Sequence, residues 1–434
     1  MVATGLASIT GTVIQAVLTI AVTGAPGFVA GFRGLIDQEF LRSLARFKMD
    51  CLTPCLIFAT FGSRLTLERL GRVWPLVVWS CVQLCTGVVV SAFLARANAS
   101  AEWARPGSVV LPRLLELAVC FQNIGAFSLP MLQTLCQADG IFGGRDAQSC
   151  FEDGALMVFG YHVPWDLAMW TQGYSCLQAL AALQKPSEGA LASVQVAALL
   201  PDPRGLPAQR RPTKFPRHLL QRLTLQVQAC GRARNPIFAA MTLGMLVGLM
   251  PPLRQLFFGA GAPLEPVGAG LKRVGGIVPV LALQMLSGTL GCASRQLLRL
   301  EPSKSPKASP AGAAGPMVQP AALASWVAAI LVGKLVLMPA LGFAAFAALA
   351  RLRRGAGGGL AMGPSDALWP DDRLLRTVVI LQWSAPSCLS LISLCYRVSL
   401  GESVTQAVAA LYLVMYAAII VTTTFWVSAG LMLF

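Results

Sequence analysis

The sequence predicts an all-α polytopic membrane protein of ten transmembrane helices. They form two inverted five-helix repeats, with broken helices 4 and 9 that cross. Three observations lead there. Residues of the set AVILMFWYC make up 55% of the 434 positions and charged residues 12%, with mean hydropathy +0.65. A soluble chain needs roughly a quarter charged residues to cover its surface. Ten apolar runs of about 20 residues follow one another, each long enough for a hydrocarbon core of roughly 30 Å. The fourth and ninth runs each carry a mid-span proline beside polar amides: CFQNIGAFSLPMLQTL (120–135) and LQWSAPSCLSL (381–391).

Taken in order, the runs lie near 7–32, 41–62, 73–95, 113–137 and 154–181, then 236–257, 268–292, 321–348, 374–396 and 406–433. Residues 1–182 make the first repeat, 183–234 a basic cytosolic loop and 235–434 the second repeat. Residues 1–32 carry no charge, so the basic start of a cleavable signal peptide is missing. Arg33 is the first charge and follows the first run, which favours an outside or lumenal N-terminus. The loops then placed inside hold the larger share of Lys and Arg. The central one has nine basic residues against Glu188 and Asp202. The net charge of +15 therefore reads as loops retained on the cytosolic side, with the lipid bilayer as partner and no nucleic acid. The sequon Asn98-Ala99-Ser100 falls in the cytosol and is expected to stay unmodified; a glycan there would overturn the orientation. In run 41–62, Arg42, Arg46 and Lys48 are expected to send their long stems to the interface. The twelve cysteines read as small buried hydrophobes, with no CxxC pair. Neither a disulfide framework, a metal site nor a cofactor is expected.

The halves echo each other. DCLTPCLIFATF around Pro54 aligns with GGIVPVLALQML around Pro279, each with a basic residue six positions earlier, Lys48 and Arg273. Trp170 aligns with Trp426 in the last span of each half. Five spans per half is odd, so the second half lies inverted, the arrangement that lets one half rock against the other.

A proline inside a span removes one N–H and pushes away the carbonyl four residues back. Such a break in lipid must be buried in protein or line a cavity. Half-helix N-termini beyond Pro130 and Pro386 offer free N–H groups and a positive dipole end to an anion. Asn123 and Gln382 add neutral amide donors, and Gly125 lies beside them. Phe127, Leu129, Trp383 and Gln284 with Met285 are candidates to shape a pocket. The alternatives are helix–helix glue for the amides and simple kinks for the prolines. Asp50, four after Arg46, is either a local ion pair or a proton carrier. His162 and Asp166, four apart on one helical face, are candidates for proton coupling. Lys334 either neutralises a carboxylate or reaches the interface. No nucleophile–base pair, metal cluster or ATP-binding motif is visible, so a transporter is favoured over an enzyme or a pump.

The run NPIFAAMTLGMLVGLMPPLRQLFFGAGAPLEPV (235–267) resembles the start of the second half in auxin efflux carriers, nearest their PIN-LIKES branch. DCLTPCLIF, QNIGAFSLP, LVLMPALG and LQWSAP resemble their second, fourth, eighth and ninth spans. The chain departs from the family pattern at Ala126 and Phe127, and again at Ser387 and Cys388. The resemblance implies crossed, broken spans 4 and 9 and a secondary transporter. Its cargo would be a weak organic acid anion, auxin (indole-3-acetate) or similar, exported or compartmented by alternating access. The short central loop favours the endoplasmic reticulum membrane over the plasma membrane. Two alternatives stand beside it: a sodium-coupled carrier of the bile-acid or carboxylate type, and a multi-span receptor that binds without moving its ligand. Monomer and homodimer are both open.

Overall fold

The computed structural model describes residues 2–98, 110–123, 127–138, 141–142, 144–183, 236–297, 320–355, 372–388 and 402–433, with five more between 391 and 398. The central loop and Gly125 lie outside the described residues. Among them every regular element is helical. Five helices are long and apolar enough to cross a membrane: Thr10–Phe32, Leu67–Ala97, Glu265–Arg295, Ala324–Arg351 and Ala410–Leu433.

The elements are α1 (Val2–Phe32), α2 (Gln38–Phe47), α3 (Thr53–Arg64), α4 (Leu67–Ala97), α5 (Val110–Cys120), α6 (Leu129–Gln137), α7 (Ala147–Ala168) and α8 (Tyr174–Leu183). The second half holds α9 (Pro236–Leu249), α10 (Pro251–Phe258), α11 (Glu265–Gly276), α12 (Val278–Leu297), α13 (Pro320–Val332), α14 (Met338–Gly355), α15 (Arg373–Ser384) and α16 (Glu402–Leu433). Side chains with a local acceptor set several starts. Asp37, Thr66, Asp146 and Asp372 each accept a backbone N–H from the first turn of α2, α4, α7 and α15. Three π-helical turns bridge helices that run on: Lys48–Leu52 between α2 and α3, Met169–Gly173 between α7 and α8, and Gly333–Leu337 between α13 and α14. Each inserts one extra residue and so re-aims the side chains around it.

The most extensive packing joins α1 to α12 and α3 to α9. Small residues allow it. A Cβ at Gly31 would run into the backbone of Gly288, and one at Gly248 into the carbonyls of Phe61 and Leu65. Without a hydrophobic drive between helices in lipid, such close approach supplies the contact.

Three expectations are corrected. The run 236–257 is not one straight span, because the chain turns by 106° between α9 and α10. Pro251 and Pro252 remove two consecutive N–H donors there. Lys48 does not reach the interface: it is 6% exposed and turned inward in its π turn. The cysteines are not all buried hydrophobes. Cys136 and Cys150 form a disulfide between the end of α6 and the start of α7. Cys51, Cys81 and Cys85 are exposed on the apolar surface.

Candidate functional site

Two helices, α5 and α15, stop at the same place. α5 ends at Cys120 and α15 at Ser384, and the extended residues that follow pair as an antiparallel bridge, Gln122 with Ser387. Asn123 N–H donates to the Pro386 carbonyl (2.6 Å), and Cys388 N–H donates to the Phe121 carbonyl (2.8 Å). A helix end leaves carbonyls without intrahelical donors, and in lipid no water replaces them. Side chains distant in the chain supply the missing donors. For α5, the Ser387 hydroxyl donates to the Ala118 carbonyl and the Lys334 ammonium to the Val119 carbonyl at 3.2 Å. For α15, the Gln83 amide donates to the Gln382 carbonyl at 3.0 Å and Thr423 to the Ser384 carbonyl at 3.3 Å. Lys334 adds a positive charge where the α5 dipole is negative.

A buried amide and phenol cluster braces this junction. Gln122 and Tyr161 both donate to the Gln83 side-chain oxygen, at 2.7 and 2.5 Å. On the cavity side, the Asn123 amide donates to the Tyr416 hydroxyl at 2.6 Å, and Tyr412 donates to the Cys388 carbonyl at 2.5 Å.

Two cavities lead to the crossing. The inner one, about 90 Å³, is lined by Lys48, Asn123, His162, Asp166 and Cys388 among others. The outer one is about 570 Å³ and reaches from Pro130 to a charged rim at Arg64, Glu152 and Lys272. Leu56, Leu129, Phe159 and Pro279 line both, so the two share a wall. At the rim Arg64 pairs with Glu152 at 2.8 Å, and the Lys272 ammonium sits 5.0 Å from the centre of the Phe258 ring. Gln137 and Phe151, each next to a cysteine of the disulfide, also line the outer cavity.

The residues singled out from sequence fall into three groups. Asn123, His162 and Asp166 meet on the inner cavity, and Pro130 opens α6 on the wall of the outer one. The first turn of α6 has no side-chain cap. His162 stacks on Trp165, with ring centroids 5.5 Å apart. Pro386, Gln382 and Lys334 belong to the crossing but lie off both cavities. The Gln382 side chain is fully buried, its amide atoms unpartnered among the described residues. Gln284 and Asp50 are elsewhere. Gln284 donates to the Thr23 carbonyl and so joins α12 to α1, and Asp50 is exposed. Of the expected pocket formers, Leu129 lines both cavities, whereas Phe127 and Trp383 are buried core. Sequence reasoning missed Lys48, Gln83, Tyr161 and Tyr416. Only Lys48 left a trace, as the basic residue six before Pro54.

A family model described as membrane transport protein matches residues 12–427. The protein named PIN-LIKES 6 of Arabidopsis thaliana is 23% identical, over 89% of this chain and 86% of that protein.

Proposed function

Because this chain belongs to the membrane transport protein family, that of the auxin efflux carriers, we propose that it is a secondary carrier of a weak organic acid anion, auxin-like, working by alternating access. The observation that carries this reading is the meeting of two helix breaks, Gln122 with Ser387, beside a cavity that shares a wall with the larger outer one. A polar junction buried in lipid is stable only if its groups are satisfied, and that cost is tolerated where a solute must bind.

The ten-span, inverted-repeat arrangement is part of the proposal. Counted by span, α1 is first and α12 seventh, while α3 is second and α9 sixth. Exchanging the halves turns the first tight pair, α1 with α12, into the second, α9 with α3. That is what two copies of one unit would give. The outer cavity is then the open side of the carrier. Gln137 and Phe151 of its wall each adjoin a cysteine of the disulfide, and disulfides persist in oxidising compartments. The rim accordingly faces the lumen or cell exterior, which agrees with an outside N-terminus. An endoplasmic reticulum membrane satisfies both conditions.

The test is uptake of labelled indole-3-acetate into proteoliposomes. The reading expects protein-dependent, saturable flux without added sodium, reduced by Pro130→Ala and by Pro386→Ala. Flux equal to that of protein-free vesicles would remove it. Flux that appears only with sodium would favour the carboxylate-carrier alternative.

A further inference from the structure

We propose that Lys48 is the charge partner of the transported carboxylate, and that the acid's apolar body occupies the outer cavity. This rests on the transport reading above and names the chemistry of its site. The sequence put amide donors and a helix dipole at the break, yet the structure puts a lysine amine on the inner wall. Lys48 opens the π turn Lys48–Leu52, is 6% exposed and faces the inner cavity with Cys388, from the break in the other half.

A buried ammonium calls for a counter-charge. Asp166 is the carboxylate on the same cavity, from α7. Among the described residues no ion pair within 4.0 Å joins the two. The cavity they both line is about 90 Å³, room for a carboxyl group but not for an aromatic acid. Asn123 sits on the same wall, where its amide is held by Tyr416. Beyond the shared residues Leu56, Leu129 and Phe159, the outer cavity of about 570 Å³ offers further apolar wall from Ile20, Ala59 and Leu283. The shape selects a monocarboxylate with one compact apolar end: head on Lys48 and Asn123, body against Leu129 and Phe159. A dicarboxylate would place its second charge against that apolar wall.

The experiment compares binding of indole-3-acetate with that of indole-3-acetamide, its uncharged near-isostere, to purified protein. Wild type, Lys48→Met and Lys48→Arg are measured. Hydrogen bonds to charged groups support a preference for the acid of about ten- to a hundredfold. Lys48→Met is expected to abolish that preference while binding the amide as wild type does, and Lys48→Arg to keep most of it. Wild type binding acid and amide equally overturns the proposal without recourse to any variant. So does a Lys48→Met protein that still prefers the acid, and in that case the transport reading stands. Wild type that binds neither compound sinks both.

Discussion

Asn123 is the residue where the break and the site coincide. Its backbone N–H holds the other half through the Pro386 carbonyl, and its side chain lines the inner cavity under the hand of Tyr416. Asn123→Ala keeps the first bond and removes the second. Loss of one hydrogen bond at a buried site is worth about 1 kcal/mol, and about twice that to a charged partner. Uptake of indole-3-acetate at low concentration should fall about tenfold, with less effect from Tyr416→Phe, which only positions the amide. Wild-type uptake by Asn123→Ala would show that the amide is glue. Asn123 was legible because its amide stands seven residues before a mid-run proline, Pro130, and His162 and Asp166 because four residues make about one helical turn. Lys48 was not. A regular 3.6-residue period gives no sign of the extra residue in the π turn that re-aims it. Gln83 and Tyr161 were equally hidden, since each is one polar group in a long apolar helix whose partner lies far along the chain.

At the scale of elements, two glycine-lined seams hold the helices at close range, α1 on α12 and α3 on α9. Composition alone could not separate these glycines from the many others in the chain. What distinguishes Gly31 and Gly248 is a facing backbone carbonyl, which cannot rotate aside as a side chain can. Overpacking a tight contact typically costs about 1–3 kcal/mol. Gly248→Leu and Gly31→Leu should therefore each lower the melting temperature of the detergent-solubilised protein. An unchanged melt for both would mean the seams are looser than drawn. The caps at Asp37, Thr66, Asp146 and Asp372 set helix starts that the apolar runs did not mark. The bend after Leu249 followed from Pro251-Pro252, yet the apolar run continues through it to Phe258 and masks the turn. The Cys136–Cys150 bond depends on α6 and α7 returning side by side, which no local pattern announces.

Across the whole molecule, polar satisfaction decides the architecture. Two helices stop in the interior, and the carbonyls they leave accept from residues distant in the chain: Ser387 and Lys334 of the second half for α5, Gln83 of the first half and Thr423 of the last helix for α15. In the chain, Pro130 and Pro386 indicated that both spans break. That the breaks meet strand to strand could only come from the fold. The most direct measurement of that meeting is a cysteine pair, Gln122→Cys with Ser387→Cys, in a chain whose native free cysteines are replaced by serine. Residues opposed in an antiparallel bridge have Cα atoms about 4.5–5.5 Å apart, inside the range of about 4.4–6.8 Å that a disulfide spans. Mild oxidation should join the two halves, seen as one linked peptide pair by mass spectrometry. Two cysteines that oxidise only with reagents in solution and never with each other would contradict the account.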